Sequence, residues 1–239
     1  MFKKEYIIII ILLIVIAALS IAIVNVGHSE ESKLDINKSS SELLANDSIG
    51  SVSVLKNIGN ADGEKVAYVV GVHPLENETH KTLVKLLPKT ADLNHCYDIY
   101  IINVTKDIGY YGDGSSDDSP GRQNGQNLAY KYVYPEIADG NYELAIDVHS
   151  NVGAYPYQTF VFSPVKKGLS VDYAQEVSDN AVNISYYAPD STTSGPYLTI
   201  PLNDEGIPAF YYEEYSFAPQ DVKDAHMMEL IHAVDDLHF

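Results

Sequence analysis

The sequence predicts an α/β domain, in which a mostly parallel or mixed sheet is flanked by helices and preceded by an N-terminal transmembrane helix. Apolar runs rich in β-branched residues alternate with segments of helical spacing, which is the pattern of successive βαβ units. Three of these apolar runs end in a histidine or a glutamate. Because ligands bind at the carboxyl ends of the strands in open α/β sheets, the polar ends indicate one shared site.

The first strand is predicted over Lys65–Val72, since its valine-rich sequence is typical of a strand buried on both faces. Helical spacing follows over Glu78–Leu87, and Pro88 ends that helix. Residues Lys106–Gly125 are rich in Gly, Ser and Asp and are predicted to form a loop. The other predicted strands are Tyr97–Val104, Tyr142–His149, Gln158–Ser163, Tyr197–Leu202 and Ile207–Glu213, and the other predicted helices are Asn127–Tyr134, Ser170–Asn183 with Ser170 as N-cap, and Pro219–Leu237.

The chain divides into three predicted regions. Residues 1–26 contain two lysines and a long apolar run, which predict a signal anchor with its N-terminus in the cytoplasm. A cleaved signal peptide, which would give a secreted protein, is the competing interpretation. Residues 27–62 are rich in Ser, Asn and charge and are expected to form a flexible extracellular stalk, although two short pieces could form a local helix or an edge strand. Residues 63–239 are the predicted folded domain.

Composition limits the partners and the chemistry. A net charge of −18 argues against nucleic acid as a partner, because the chain and the nucleic acid backbone are both negatively charged and repel each other. Cys96 is the only cysteine, which excludes an intrachain disulfide and a multi-cysteine metal site. The domain must therefore be held together by an ordinary core, for which the 46% hydrophobic content provides the material.

Two histidines and a glutamate are the candidate metal ligands. His73 follows the first predicted strand, and Glu76 comes three positions later in the same turn. His149 ends a later strand, Tyr142–His149. Two imidazoles and one carboxylate are a common ligand set of catalytic zinc, which leaves a fourth position for water and lowers the pKa of that water to ~7. One Zn²⁺ per chain is therefore expected.

Glu213, at the end of the last predicted strand, is the candidate proton shuttle between the water and a leaving amine. The neighbouring Glu214 points the other way on a strand, so a register shift would exchange the two roles. Asp147 lies two residues before His149 on the same strand face and can either orient a ligand ring or bond to the backbone.

Arg122, the only arginine of the chain, lies in the predicted loop. Its guanidinium could hold a substrate carboxylate or polarise a carbonyl, with Asn124 as a companion. The alternative is that Arg122 balances the charges of nearby aspartates in the same loop.

These motifs resemble the zinc carboxypeptidase superfamily, and within it the succinylglutamate desuccinylase and aspartoacylase branch. The likeness rests on His-x-x-Glu after the first strand, Asp-x-His at a central strand and a late glutamate, and it covers Lys65–Leu237. It implies zinc ligation by His73, Glu76 and His149, a general base and acid at Glu213, and substrate or oxyanion contact at Arg122. A family substrate-binding tyrosine is matched best by Tyr197 and less well by Tyr187.

The resulting expectation is a membrane-anchored, extracellular, zinc-dependent hydrolase of amide bonds. Its substrate would be a peptide, an N-acyl amino acid or a peptide crosslink of a cell-wall polymer. A non-catalytic surface module that keeps the fold for binding or adhesion is the first alternative. A cell-wall amidase of a different zinc fold is the second, since it would use the same types of ligand.

Overall fold

The computed structural model describes residues 40–109 and 120–239. Within these residues eight strands form one sheet in the order β1-β2-β4-β3-β5-β8-β6-β7. The strands are β1 (Ser40–Asp47), β2 (Gly50–Gly59), β3 (Lys65–Val70), β4 (Cys96–Val104), β5 (Leu144–Asn151), β6 (Phe160–Phe162), β7 (Ser185–Tyr186) and β8 (Ala209–Tyr215). The α-helices are α1 (Asn77–Leu86), α2 (Pro120–Leu128), α3 (Tyr134–Ala138), α4 (Leu169–Asn180), α5 (Thr199–Asp204) and α6 (Gln220–Asp235).

The centre of the sheet is parallel. Strands β4, β3, β5 and β8 pair in parallel, so their carboxyl ends lie at one edge. Antiparallel pairing adds β1 and β2 beside β4, and β6 beside β8. The predicted α/β class with a mixed sheet is therefore confirmed.

Helices cover both faces of the sheet and bury two apolar layers. One layer, with Tyr68 and Ile146 at its centre, packs under α1, α4 and α6. The other layer, which includes Val69, packs under α2, α3 and α5. Successive residues of a strand face opposite layers, so the continuous apolar runs of β3 and β5 follow from burial on both sides.

The prediction of a flexible stalk is wrong for residues 40–59, which form β1 and β2, whereas the alternative of an edge strand in this region is correct for β1. Strand β2 pairs with β4 and buries Val52, Val54 and Ile58 in the core. Strand β1 lies at the edge of the sheet, where a polar sequence is normal because one side of the strand faces solvent. Its Ser, Asn and charged residues therefore resembled those of a linker.

The predicted loop Lys106–Gly125 is wrong over its last part, because α2 begins at Pro120. Proline is accepted in the first helical turn, where its missing N–H needs no partner. A side chain at Gly125 would collide with the carbonyl oxygen of Val72, so this glycine allows close packing rather than a turn. A π-helical turn, Ala129–Val133, joins α2 to α3.

Two further predictions of local structure are wrong. Residues Tyr197–Leu202 form a 3₁₀ turn and the start of α5 instead of a strand, with Leu198 and Leu202 buried at helical spacing. Ser170 does not cap α4, whose N-cap is Gly168 at a φ of 109°. The Ser170 hydroxyl instead pairs with that of Ser163 at 2.8 Å.

No helix in the described ranges, 40–109 and 120–239, has both the length and the apolar character needed to cross a membrane. The predicted signal anchor, residues 1–26, lies outside those ranges.

Candidate metal and catalytic site

A tight turn after β3 presents the first two predicted ligands. Gly71 adopts a φ of 91°, and a side chain there would collide with the carbonyl oxygen of Ile102. The 3₁₀ turn Pro74–Glu76 follows, with His73 as its N-cap, and the Glu76 N–H donates to the His73 carbonyl at 3.1 Å. The turn therefore places His73 and Glu76 side by side at the carboxyl edge of the sheet.

The three predicted metal ligands are brought together and buried. Glu76 Oε1 lies 3.0 Å from His73 Nδ1, and Glu76 Oε2 lies 2.9 Å from His149 Nδ1. One possible ligand atom from each residue lies within 4.8 Å of the others. The backbone N–H of Ser150 also donates to Glu76 Oε2, at 2.9 Å. These two imidazoles and the carboxylate lie close enough together to hold one metal ion.

The charges of this cluster depend on one another. Burial acts to raise the pKa of Glu76, but the two imidazoles outweigh it and hold that pKa well below its usual value. Burial likewise opposes protonation of His149, yet Asp147 and Glu76 raise its pKa well above the usual value. Burial is the main cause of the lowered pKa of His73. The site thus concentrates negative charge around two imidazoles, which suits a bound cation.

Each histidine has a further polar neighbour at its other ring nitrogen. Asp147 Oδ2 lies 2.9 Å from His149 Nε2, which is an ion-pair distance, although neither atom makes a well-directed hydrogen bond among the described residues. The buried amide of Gln126 lies 3.3 Å from His73 Nε2. Gln126 was not predicted, because its segment gave no signal apart from the i, i+4 spacing to Arg122, which matters only once α2 is known to be a helix.

The strand register places Glu213 at the site and Glu214 away from it. Glu213 pairs with His149 across β5 and β8, so both side chains lie on one face of the sheet. Glu214 points to the opposite face, where its buried carboxylate accepts hydrogen bonds from the Tyr212 hydroxyl at 2.7 Å and the Thr159 hydroxyl at 3.1 Å. The register therefore places Glu213, and not Glu214, on the face of the sheet that carries His149.

The carboxyl group of Glu213 is set up to hold a proton near neutral pH. Its Oε2 is buried and has no hydrogen-bond partner among the described residues. Burial raises the pKa of Glu213 to about 8; His149 opposes the shift, while Glu76 and Asp147 add to it. A carboxyl group with such a pKa beside a metal-ligand cluster is a general base or acid candidate.

Arg122 also reaches the site, from α2. Its NH1 lies 3.4 Å from Glu76 Oε1, and its NH2 donates to the Thr193 hydroxyl at 3.1 Å. Asn124, its predicted companion, instead donates to the Lys106 carbonyl at 3.0 Å. The half-buried Tyr197 donates to Gln123 on the same helix at 3.4 Å. Tyr197 thus lies beside α2, whereas Asn124 is turned towards the loop before it.

The described residues thus form a mixed α/β sheet with a buried His–Glu–His cluster at its carboxyl edge, and this cluster is able to hold a metal ion. Solved structures with this fold are found by comparison, which confirms the likeness to the zinc carboxypeptidase superfamily at the level of the fold.

Two of the similar structures are of the cell shape determinant protein Csd4 from Helicobacter pylori. The tripeptide-bound form has a TM-score of 0.54 and 13% identity, with 77% of this chain and 54% of that chain covered. The mDAP-bound form, described as a D,L-carboxypeptidase, has a TM-score of 0.51 and 13% identity, with 75% and 53% covered. This chain therefore spans about half the length of Csd4.

A third similar structure is a metallo-carboxypeptidase from Burkholderia cenocepacia, with a TM-score of 0.52, 12% identity, and 83% of this chain and 65% of that chain covered. No family model matches the sequence, and no curated protein matches it either. At these identities the comparisons define the fold, and the chemistry must be argued from the residues of this chain.

Proposed function

We propose that this protein is a zinc-dependent hydrolase of amide bonds, of carboxypeptidase or deacylase type. The proposal is carried by one observation: a buried His73–Glu76–His149 cluster lies at the same sheet edge as Glu213, whose Oε2 is buried and has no hydrogen-bond partner within the part of the chain that the structure describes. Two neutral nitrogens and one carboxylate are the ligand set that catalytic zinc uses when it keeps a position for water. Bound there, zinc would supply Lewis acidity and lower the pKa of that water.

The residues of the chain have separate roles in the proposed reaction. A cation bound beside Glu213 would lower the pKa of its carboxyl group and favour the ionised form, which accepts a proton from the attacking water and passes it to the leaving amine. Arg122 binds the substrate carboxylate or the carbonyl oxygen on which negative charge develops. Asp147 and Gln126 hold the ligand imidazoles in orientation through their Nε2 atoms. Tyr197, beside α2, is proposed to contact substrate, while Asn124 can do so only if it leaves its bond to Lys106.

The proposed substrate is a peptide or an N-acyl amino acid. Csd4 is described in tripeptide-bound and mDAP-bound forms, which supports a short peptide with a free carboxylate. The predicted signal anchor would place the domain outside the cell, where peptides and wall material are available. Membrane attachment and extracellular location are proposals from the sequence of residues 1–26.

Metal analysis is the first test. The full chain, purified in detergent and supplied with zinc, is expected to contain about one zinc per chain, and a His73→Ala, His149→Ala variant is expected to lose it. Glu213→Gln should retain the metal but lose hydrolysis of acyl dipeptides. If neither wild type nor variant binds metal, the hydrolase proposal fails.

A non-catalytic binding module remains the second candidate. This candidate would be favoured if the protein binds one zinc per chain but shows no hydrolysis that is lost in a Glu213 variant. Glu213 Oε2 argues against it, because a buried carboxyl oxygen with no hydrogen-bond partner among residues 40–109 and 120–239 destabilises a fold that has no use for it. The likeness in fold to Csd4 and the metallo-carboxypeptidase argues against the amidase of a different zinc fold.

A further inference from the structure

We propose that a cluster of tyrosines beside Glu213 is a subsite for an apolar side chain of the substrate. The cluster consists of Tyr155 and Tyr187, which pack against the buried ring of Phe160, and Tyr157, which packs against Tyr187. The inference rests on the proposed hydrolase function and specifies which peptides the enzyme would prefer.

Strand register places this tyrosine cluster next to the catalytic centre. His149 pairs with Glu213, and Glu213 in turn pairs with Phe160 of β6. Paired residues share a face of the sheet, so the three side chains form a row in which Phe160 lies beyond Glu213. Residues 152–159 connect β5 to β6 at the same edge and carry Tyr155 and Tyr157.

The tyrosine cluster has a buried floor and a solvent-exposed rim. Phe160 is fully buried, whereas Tyr155 is 37% and Tyr157 is 46% exposed. Tyr155 and Tyr187 meet Phe160 edge to face, with ring centroids 5.2 and 5.5 Å away, and Tyr157 lies 5.9 Å from Tyr187. Such contacts fix the orientation of aromatic rings, so the rim is preformed for a ligand.

A layer of aromatic rings links the tyrosine cluster to the metal ligands. Phe160 stacks with Phe162 at 5.8 Å, and Phe162 stacks with Tyr211 at 4.6 Å. Tyr211 lies 5.5 Å from the ring of His149. Phe160, Phe162 and Tyr211 are buried, so they form an aromatic layer beneath the surface that supports both the tyrosine cluster and the ring of His149.

The position of Arg122 indicates which part of the substrate the cluster meets. Arg122 contacts Glu76, which follows β3, whereas the tyrosine cluster lies next to β6, on the other side of β5 and β8. If Arg122 holds the terminal carboxylate, the residue whose carbonyl is attacked extends towards the cluster. The three tyrosines of the cluster and Phe160 beneath them carry no formal charge, so an apolar or aromatic side chain fits there best.

The test compares acyl-X-Ala dipeptides in which X is Phe, Ala or Lys, with the zinc-loaded full chain. We expect kcat/KM for the Phe substrate to exceed that for the Ala substrate by about tenfold or more. In a Tyr157→Ala, Tyr187→Ala variant this ratio should fall to about twofold or less. Tyr157→Phe keeps the ring and should keep the preference. Tyr130→Ala is the matched control, because it removes an exposed tyrosine that lies in the π-helical turn Ala129–Val133 and not in the tyrosine cluster.

Binding without turnover separates this inference from the proposed function. The same three dipeptides are titrated into Glu213→Gln protein by calorimetry, with and without the two tyrosine substitutions. Phe-selective binding that the tyrosine substitutions abolish supports the subsite even if no hydrolysis is found, in which case only the hydrolase proposal fails. Equal binding of Phe and Ala dipeptides, or no binding, overturns the subsite even if hydrolysis is intact.

Two other outcomes also overturn the proposal. A preference for the Lys dipeptide would show that the tyrosine rings bind a cation instead of an apolar group. A change in oligomeric state on replacing Tyr157 and Tyr187, measured by sedimentation, would assign the cluster to contact between copies of the chain.

Discussion

Replacing Gln126 with leucine is expected to weaken zinc binding while leaving the fold intact. The Gln126 amide lies 3.3 Å from His73 Nε2, and the Nδ1 atom of the same ring faces Glu76. When a metal binds His73 Nδ1, the proton of the neutral ring lies on Nε2. The Gln126 side-chain amide can turn by about 180° so that its oxygen, instead of its nitrogen, accepts a hydrogen bond from this N–H. Leucine has a similar volume but cannot accept this proton.

The expected rise in the zinc Kd follows from the burial of Gln126 and His73. Both side chains are almost fully buried, so water cannot replace the lost partner of His73 Nε2. An unsatisfied buried donor costs about 1–3 kcal/mol. Because about 1.4 kcal/mol is a factor of ten in an equilibrium constant, the zinc Kd should rise by about 5- to 150-fold.

Competition with a chromophoric chelator measures this change directly. Gln123→Leu is the matched control, because Gln123 lies on the same helix but is exposed and contacts Asn127 and Tyr197 rather than a ligand. Gln126→Glu retains an acceptor oxygen and should keep zinc affinity near or above that of the wild type. Equal zinc affinity in Gln126→Leu and wild type would refute the assigned role of Gln126.

Three further predictions follow from the described contacts. Glu213→Gln should lower kcat about 10²- to 10⁴-fold with zinc content unchanged, whereas Glu214→Gln should chiefly lower stability, as measured by urea unfolding. Burial lowers the pKa of His80 to about 4, so between about pH 6.5 and 4 the unfolded chain binds a proton that the folded chain does not. The unfolding free energy should therefore fall by up to about 3 kcal/mol as the pH drops through this window. The variant His80→Gln should lose that part of the pH dependence. Val54→Ala should cost about 2 kcal/mol of unfolding free energy if residues 40–59 belong to the core, and nothing if they form a flexible stalk.

The central strands and three of the site residues could be predicted because their signal is local. A valine-rich run followed by Gly71 and His73 marks both a buried strand and its end, and parallel strands bring such ends to one edge. Strand β1 could not be predicted in this way, since its polar residues match a linker as well as an edge strand. Gln126 and the tyrosine cluster depend on helix packing and strand register, which no single segment of sequence specifies.

The assignment of Glu213 shows how a neighbouring residue can determine the geometry of a site. Two adjacent glutamates on a strand point to opposite faces, so fixing one of them fixes the other. Glu214 is fixed by the Tyr212 hydroxyl and by the backbone N–H of Tyr215, which donates to Glu214 Oε1 at 2.9 Å. A shift of one residue would bury Glu213 among those donors and turn Glu214 towards His149, at the cost of several buried hydrogen bonds. The polar network around Glu214, on the face of β8 opposite to Glu213, therefore holds Glu213 towards the metal ligands.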